Sequence, residues 1–444
     1  MGLYHQLQAR AEAGAPIRVG VIGAGKFGTM FLAQTARLPG VQVLGVADLR
    51  VAVARENLAL AGWAEGSFDA ASLDAAFQSG GTHVGDNAAA LIAHPAVDII
   101  VDCTGHPVVA VDHALAAFDA GKHVISATVE ADAFLGPTLP NLAAKAGVIY
   151  SLAYGDQPAM TVELVDWART CGFEVVGAGR GHKWKPEYRY STPETIWDHW
   201  GVPEEVAKRG RLNPKMFNSF LDGTKPAIES SAIANACGLD APEGGLAYPA
   251  GSIDDIPSIM RTKAEGGALD KLGQVEVINC LDTHGDPIAY DIRMGVFVSV
   301  KAVTEYQKRC FEEYKVTTDD SGLYLCAYKR WHLIGLELGI SVANVGLRGE
   351  ATGQGREFRA DVPAVAKRDL SPGEILDGEG GYCVAGTLRP ARLSAPMGAF
   401  PLGLTEGAKM VRPVARDQIL TYEDVEFDET TAAARLRREL EATV

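Results

Sequence analysis

Residues 18–28 read RVGVIGAGKFG, and this stretch decides the fold of the first part of the chain. An apolar strand runs directly into three glycines spaced as G-x-G-x-x-G, and a helical pattern follows. In this context the first glycine permits a tight turn, the second lets the backbone approach a pyrophosphate, and the third lets helix and strand pack closely. The helix N-terminus adds N–H donors and the positive end of a dipole. We therefore expect five residues to form a dinucleotide-binding loop: Gly23, Gly25, Lys26, Phe27 and Gly28.

Strand and helix signals alternate around this motif through the first 155 residues. The strand candidates are Arg18–Ile22, Val41–Ala47, Asp98–Asp102, His123–Ser126 and Val148–Ser151. Helix candidates such as Gly28–Leu38 and Pro107–Ala120 lie between them, and the second starts with Pro and is followed by Gly121. Proline in the first turn and glycine just after the last turn are typical of helices. The alternation predicts βαβ units and a Rossmann-type parallel sheet in an α/β protein.

The second strand ends at Asp48, 20 residues after Gly28. A carboxylate at this place usually accepts hydrogen bonds from the adenosine ribose hydroxyls, which favours NAD. Arg50 lies two residues further on and can pair with a 2′-phosphate, so NADP stays open. A role for Asp48 as a cap of the following helix is the alternative.

Other turns follow strands at the same expected edge of the sheet. The first is Asp102-Cys103-Thr104-Gly105, where small residues let the backbone approach the nicotinamide half of a dinucleotide. We read Cys103 as a small buried residue, because a reactive cysteine needs a base beside it. Asp156 is interpreted as a helix-start carboxylate or a substrate ligand. The residues expected to border the cofactor here are Cys103, Thr104, Gly105, Thr128, Glu130, Gly155 and Pro158.

Composition excludes several classes of function. The 444 residues carry 41 Lys and Arg against 56 Asp and Glu, a formal charge of −15, which argues against non-specific binding to nucleic acid or anionic membranes. No apolar run reaches the roughly 20 residues of a membrane span, and the N-terminus lacks an apolar signal core. The 7 cysteines contain no CxxC pair. We expect a reduced, cytoplasmic protein with a small-molecule substrate and no metal.

The pattern of helix, strand and turn signals changes twice along the chain. We predict a Rossmann dinucleotide-binding domain at 1–158, an α+β substrate and oligomerisation domain at 159–347, and a small β domain at 348–444. Residues 328–345 fit either a helix or a strand, and 430–443 predict an exposed terminal helix. A homodimer or larger homo-oligomer is expected.

Hydride transfer needs a group that manages the proton of the substrate oxygen. Lys183 and His182 follow a strand and are candidates for acid/base chemistry, and Lys183 or Lys185 can instead clamp an anion. Lys225 and Asp222 form a second group of candidates in FLDGTK. Lys225 and Glu229 are four residues apart, so a helix-surface ion pair is the alternative. Residues 282–286, DTHGD, are interpreted as a hairpin turn rather than a metal site.

These residues carry a resemblance to a known family. RVGVIGAGKFG, DCTG, GKHVISATVEAD and YGDQP are similar to the NAD(P)-binding half of homoserine dehydrogenases. FLDGTK, AIANACGL, KAEGGALDK and GVFVSVKA match the middle region, and the tail from AKRDLSPGEILDG resembles a SAF domain. The whole chain is similar to homoserine dehydrogenase-like oxidoreductases with a C-terminal SAF domain, the family that includes 1-deoxy-D-xylulose 5-phosphate reductoisomerase-like enzymes.

The resemblance implies an NAD(P)-dependent oxidoreductase of a small polar hydroxy or carbonyl compound, such as a sugar-derived acid, a polyol or a phosphate. It implies that Asp222 and Lys225 line the substrate pocket. The alternatives are a reductoisomerase of an α-hydroxyketone phosphate, a homoserine dehydrogenase, and a non-catalytic dinucleotide-binding sensor. Homoserine dehydrogenases usually carry a lysine where this chain has Thr128-Val129-Glu130, a departure from the homoserine pattern.

Overall fold

A computed structural model describes residues 2–210 and 212–444, which form two compact units. Each unit is built from two segments: Met1–Met160 with Leu333–Gly355 in the first, and Thr161–His332 with Arg356–Val444 in the second. Both units are thus discontinuous in sequence. This division differs from the three consecutive domains expected above. Local changes in sequence pattern do not reveal which distant segments pack together.

The strands of the described residues are numbered in chain order. They are β1 (Ile17–Ile22), β2 (Val41–Ala47), β3 (His83–Gly85), β4 (Ile99–Asp102), β5 (His123–Ser126), β6 (Tyr150–Leu152), β7 (Glu174–His182), β8 (Gln274–Asn279), β9 (Val296–Lys301), β10 (Tyr324–Lys329), β11 (Ala360–Asp361), β12 (Ala364–Ala366), β13 (Val384–Gly386), β14 (Arg389–Pro390), β15 (Lys409–Met410) and β16 (Val425–Glu426).

The α-helices of the described residues are numbered in the same way. They are α1 (Leu3–Glu12), α2 (Lys26–Thr35), α3 (Val51–Leu60), α4 (Leu73–Ser79), α5 (Ala88–Ala93), α6 (Pro107–Asp119), α7 (Val129–Leu135), α8 (Thr138–Lys145), α9 (Gln157–Thr170), α10 (Ile196–Trp200), α11 (Glu204–Arg209), α12 (Pro214–Leu221), α13 (Thr224–Cys237), α14 (Ile256–Ile259), α15 (Glu305–Glu313), α16 (Gly339–Ala343), α17 (Ala391–Ser394) and α18 (Ala432–Glu441). A π-helical turn, Asn344–Arg348, follows α16.

The first unit contains a six-stranded parallel sheet in the order β3-β2-β1-β4-β5-β6. Strands such as β4 are buried along their whole length, as expected where helices cover both faces of a parallel sheet. The order reverses direction between β1 and β4, and ligands of such sheets bind at this switch point, beyond the carboxyl ends of the strands. The sheet confirms the α/β, Rossmann-type prediction.

A later segment of the chain completes the core of the first unit. Leu338, Val342 and Val345 are buried in the same apolar cluster as Ile17. Gly346 packs so closely that a Cβ there would lie 2.6 Å from the Ile17 Cδ1 atom. The stretch 328–345, which fitted helix or strand, therefore divides into the end of β10, a connection and α16.

The second unit contains a four-stranded sheet in the order β10-β9-β7-β8. β7 runs parallel to β8 and antiparallel to β9, and β9 is antiparallel to β10. The helix α13 is buried along its length except for Lys225. Its sequence is rich in alanine and serine, and such small side chains let a helix lie close to its neighbours. In the same unit, residues from 356 onward form short antiparallel pairs: β11–β14, β12–β13 and β15–β16.

The terminal helix is anchored rather than fully exposed, which corrects the sequence expectation. Arg437 of α18 is buried, and its guanidinium donates to the Asp361 carboxylate over 2.7 Å. Ala433, Ala434 and Leu440 of the same helix are also buried. Across residues 2–210 and 212–444, we find no helix with the length and apolar character that crossing a bilayer requires.

Candidate active site

The three glycines of the loop have different backbone surroundings. Gly23 has φ +91°, and a Cβ there would lie 2.8 Å from the Cys103 carbonyl oxygen. A Cβ at Gly28 would lie 2.1 Å from the Gly23 oxygen, so only glycine lets α2 start so close to the turn. Gly25 differs, because a Cβ there meets no atom within 4 Å. The loop is thus open at the position where a pyrophosphate would approach, above the N-terminus of α2.

The Asp48 side chain is hydrogen-bonded to the same loop. Its carboxylate accepts hydrogen bonds from the backbone N–H of Ala24 at 2.8 Å and of Arg50 at 2.8 Å. Asn57 donates to the Ala24 carbonyl oxygen over 2.8 Å. Asp48 is half-buried at the end of β2, whereas the Arg50 side chain is exposed. A carboxylate has more acceptor positions than these two N–H groups use, so Asp48 can also accept from ribose hydroxyls.

The turn after β4 lies beside the glycine loop. Cys103 is half-buried there, and burial together with the Asp102 charge raises the pKa of its thiol well above the ordinary value. The thiol is therefore protonated at neutral pH. Thr104 is half-buried and Gly105 is exposed, whereas the Thr128 side chain is fully buried. Of these residues, Gly105 is the most exposed.

A group of buried acidic residues follows β5 and β6. Glu130 and Asp132 lie in the first turns of α7, and Asp156 precedes α9. Burial raises the pKa of Asp132 well above its ordinary value, and the charges of Glu130 and Asp156 add to the shift. Asp132 therefore keeps its proton to a higher pH than an ordinary aspartate does. Sequence reasoning missed Asp132, although its place two residues after Glu130 in a helix start was a usable signal.

Gly155 and Pro158 are buried within the first unit. Gly155 has φ +95°, and a Cβ there would lie 2.9 Å from the Glu337 Cβ and 3.2 Å from the Leu333 carbonyl oxygen. This turn is therefore packed against the returning segment 333–355. Both residues were expected to border the cofactor, and the structure places them in the packing of this turn.

In the second unit, His182 and Lys183 lie together at the end of β7. Burial lowers the pKa of His182 well below its ordinary value, and the neighbouring Arg180 lowers it further, so the imidazole is neutral at neutral pH. Its Nε2 atom lies 2.7 Å from the Phe220 carbonyl oxygen. The Lys183 Nζ donates to the His199 carbonyl oxygen over 2.7 Å. Burial also lowers the pKa of Lys183.

Two further cations, Arg293 and Lys185, lie near Lys183. After burial, the charges of Arg293 and Lys185 contribute to its lowered pKa. Arg293 also lies beside Cys280, where burial raises the pKa of the thiol and the arginine opposes that rise. About 40% of the Arg293 side chain is exposed, so solvent reaches this cationic group. We call Lys183, Lys185 and Arg293 the cationic cluster; sequence reasoning missed Arg293 because it follows no motif.

Trp184, the residue after Lys183, stacks on the ring of Tyr248. The rings of Trp184 and Tyr248 are 4.4 Å apart and nearly parallel. The Asn279 side chain accepts from the Trp184 N–H and donates to its carbonyl oxygen, both over 3.0 Å. Gly223 faces this stack, since a Cβ there would lie 3.0 Å from the Trp184 ring. The backbone between Lys183 and Lys185 is therefore held in one position.

Asp222 and Glu229 are buried in ion pairs. Asp222 is fully buried, accepts from the Lys367 Nζ at 3.0 Å, and also accepts from the Thr224 N–H at 3.0 Å. Glu229 pairs with Arg180, and both side chains are buried. Glu229 therefore lies inside the protein, which corrects the reading of a helix-surface residue. Lys225 is half-buried at the start of α13.

Two more acidic residues of the second unit are Glu276, which the sequence analysis did not single out, and Asp282 of the predicted turn. Glu276 is buried in β8, and burial raises the pKa of its carboxyl to about 7 although three backbone N–H groups donate to it. Asp282 accepts from the N–H groups of His284 and Asp286 at 2.8 and 2.9 Å, as expected of a turn. Within the described ranges, 2–210 and 212–444, no group of three or more His, Cys, Asp or Glu side chains is arranged to hold a metal ion.

Two family profiles match the chain. Residues 19–152 match "Homoserine dehydrogenase, NAD binding domain", and residues 155–338 match "Oxidoreductase DRL, catalytic domain". The first match covers the Rossmann-type sheet with the glycine loop, and the second covers the sequence that carries the cationic cluster. No curated protein matches the chain.

Solved structures resemble parts of the chain at low identity. The oxidoreductase yvaA from Bacillus subtilis is 12% identical over 76% of this chain and 89% of its own, with a TM-score of 0.35. An oxidoreductase from Klebsiella pneumoniae is 19% identical over 42% of this chain and 47% of its own, with a TM-score of 0.27. A DOX-P reductoisomerase in complex with magnesium is 14% identical over 51% and 58%, with a TM-score of 0.33. The chain spans about half the length of the first solved structures that it matches.

The profile matches and the glycine loop concern the same residues of the first segment. The loop offers a pyrophosphate an open backbone and a helix N-terminus, and the profile over the same residues is that of an NAD-binding domain. The profile that follows it along the chain is that of an oxidoreductase catalytic domain. Residues 19–152 are thus similar to a homoserine dehydrogenase NAD-binding domain, and residues 155–338 are similar to the catalytic domain of the oxidoreductase DRL.

Proposed function

We propose that the enzyme transfers hydride between the nicotinamide and a small polar hydroxy or carbonyl compound that carries an anionic group. Sugar-derived acids and the phosphates of sugars and polyols are the classes that fit. The observation that supports this proposal is the cationic cluster in the second unit: Lys183, Lys185 and Arg293. Arg293 is about 40% exposed and lies 3.7 Å from the Asp291 carboxylate, beside the two lysines. Such a group of cations favours an anion, because an arginine fork and ammonium groups are the usual ligands of carboxylate and phosphate.

Lys183 is the proposed acid/base residue. Its pKa is lowered by burial and by neighbouring positive charge, which brings proton exchange closer to neutral pH. His182 is a weaker candidate, since its ring is buried and bonded to a backbone carbonyl oxygen. Lys185 and Arg293 would hold the anionic group, and the cofactor would accept or supply the hydride.

Of the two nicotinamide dinucleotides, NAD and NADP, we propose NAD as the cofactor. The Asp48 carboxylate is fixed by two backbone N–H groups at the end of β2. A 2′-phosphate beside this carboxylate would be repelled, whereas ribose hydroxyls can donate to it. Arg50 is exposed beyond it and is the residue that would favour NADP.

The test is a substrate screen followed at the absorbance of the reduced nicotinamide. Polyols, aldonic acids, α-hydroxyketone phosphates and homoserine are compared in both directions. Lys183→Met should lower kcat/KM at least tenfold while the NADH dissociation constant stays unchanged. The control is Lys208→Met, because Lys208 forms an exposed ion pair with Glu204 in the same unit. Turnover of uncharged, apolar alcohols only, or unchanged kinetics in Lys183→Met, would contradict the proposal.

A reductoisomerase of an α-hydroxyketone phosphate is the second candidate, because the same cationic cluster suits a phosphate dianion. The two reactions differ in the carbon skeleton of the product. NMR of the product distinguishes them, since a simple reductase keeps the skeleton of the substrate and a reductoisomerase rearranges it.

A further inference from the structure

Asp102 ends β4 and is the centre of a buried hydrogen-bond network in the first unit. Its side chain is only 2% exposed. The Oδ1 atom accepts from the Thr104 N–H at 3.1 Å, the Thr104 hydroxyl at 2.7 Å and the Thr128 hydroxyl at 2.8 Å. The Oδ2 atom lies 2.8 Å from His113 Nδ1 of α6. A buried carboxylate with four donors is expensive to disturb, because each lost donor leaves part of the charge unsolvated.

The network fixes the turn that follows β4. The Thr128 hydroxyl, which donates to Asp102, accepts from the Gly105 N–H at 3.0 Å. Consequently the N–H groups of Thr104 and Gly105 and the hydroxyl hydrogen of Thr104 are all directed inward. Thr128 is fully buried, so its hydroxyl supports the turn from inside the protein.

The fixed turn lies at the switch point of the sheet. β1 and β4 are neighbours, and the glycine loop after β1 touches the turn, since a Cβ at Gly23 would lie 3.3 Å from the Thr104 nitrogen. A dinucleotide bound here has its adenosine on the β2 side, where Asp48 lies, and its nicotinamide on the β4 side. Gly105 is exposed with φ +67°, and a Cβ there meets nothing within 4 Å. The turn therefore opens towards the nicotinamide half.

We propose that Asp102 is a positioning residue for the nicotinamide half of the cofactor, acting through Thr104 and supported by Thr128. Because the Thr104 hydroxyl gives its hydrogen to Asp102, its oxygen has only acceptor positions left to offer. That oxygen suits the amide N–H₂ of the nicotinamide carboxamide. Asp102 thus sets in advance the direction of the group that receives the carboxamide, which lowers the ordering cost on binding.

The test compares two ligands that share the adenosine half. Dissociation constants are measured by calorimetry for NADH and for ADP-ribose, which lacks the nicotinamide; NADPH and its ADP-ribose fragment replace them if the wild type prefers NADPH. Thr128→Val and Asp102→Asn should weaken NADH about tenfold and ADP-ribose less than twofold, as expected for the loss of about one hydrogen bond. Thr128→Ser keeps the hydroxyl and should restore NADH affinity.

The control and a second variant keep the test decisive. Thr82 is also buried in the first unit, and its hydroxyl donates to the Val43 carbonyl oxygen over 2.6 Å, so Thr82→Val loses an equivalent bond away from the turn. It should leave both affinities unchanged. If Asp102→Asn fails to fold, Thr104→Val at the half-buried position replaces it. Equal weakening of both ligands, or unchanged NADH affinity in Thr128→Val and Thr104→Val, would overturn the proposal.

Discussion

Gly25→Val separates cofactor binding from folding. Gly25 caps α2 with φ −70° and ψ −157°, an extended conformation that any residue adopts. A Cβ at this position meets no protein atom within 4 Å, so the valine side chain fits in the folded protein. The space it would fill is the space in which the pyrophosphate approaches the backbone. We therefore expect the fold to survive and the cofactor to be excluded.

The expected magnitude follows from two free energies: the loss of folding stability and the loss of cofactor binding. Replacing glycine at a helix N-cap with a β-branched residue costs about 1 kcal/mol or less, because no cap hydrogen bond is lost here. On the cofactor side, excluding the pyrophosphate removes at least two charge-assisted hydrogen bonds to backbone N–H groups, each of about 1.5–3 kcal/mol. A loss of about 3 kcal/mol corresponds to an affinity reduced by about 100-fold, since 1.4 kcal/mol is tenfold.

Calorimetric titration with NAD and NADP and thermal unfolding without ligand are the two assays. Gly244→Val is the matched control, because a Cβ at that exposed glycine also meets nothing within 4 Å and its φ is not positive. Gly28→Ala is the opposite case: its Cβ would lie 2.1 Å from the Gly23 oxygen, so unfolding should change as well as binding. Near-normal cofactor affinity in Gly25→Val would refute the assignment of this loop.

Three further predictions concern other parts of the chain. Asp48→Ser should lower the ratio of kcat/KM for NAD to that for NADP, and an unchanged ratio would contradict the role of the carboxylate. Lys367→Met should destabilise the second unit by about 3–5 kcal/mol, because it leaves the buried Asp222 charge unpaired, whereas Arg392→Met at an exposed pair should cost less than about 1 kcal/mol; equal losses in chemical denaturation would contradict this. The pKa of Glu276 is raised from 4.5 to about 7, so its contribution to stability should decline as pH rises from 4.5 to about 7, by up to about 3 kcal/mol, and Glu276→Gln should remove that decline from the pH dependence of unfolding.

The parallel sheet could be predicted from the sequence because its signals are local. An apolar strand, a glycine-spaced turn and a helix start are adjacent in residues 18–28, and β4, a short turn with Gly105 and the start of α6 are likewise adjacent. β3 was missed, since a strand of three residues, His83–Gly85, has too few apolar positions for any period to show. Such a strand is held by its pairing with β2, which the sequence does not display.

The discontinuous units could not be predicted for a related reason. Residues 333–355 return to the first unit because Leu338 and Val342 complete its apolar cluster, and this depends on partners hundreds of residues away. Asp102 was quoted in its motif and still passed over, because its importance lies in the distant donors Thr128 and His113. Sequence spacing indicates where strands end, but it does not show which side chains meet there.

Burial distinguishes the charged residues of the second unit that stabilise it from those available for chemistry. Asp222 was a site candidate because of its motif, yet it is fully buried and paired with Lys367, a residue of the C-terminal segment. Such a pair adds little net stability but makes one arrangement of the segments far better than the others, because either charge alone would be left buried. Lys183 and Arg293 keep partly exposed side chains and lie near each other, and the Arg293 guanidinium is 3.7 Å from the Asp291 carboxylate. Neighbouring cations with partly exposed side chains suit an anion, so the cationic cluster, rather than the buried pairs, supports the anionic substrate proposed above.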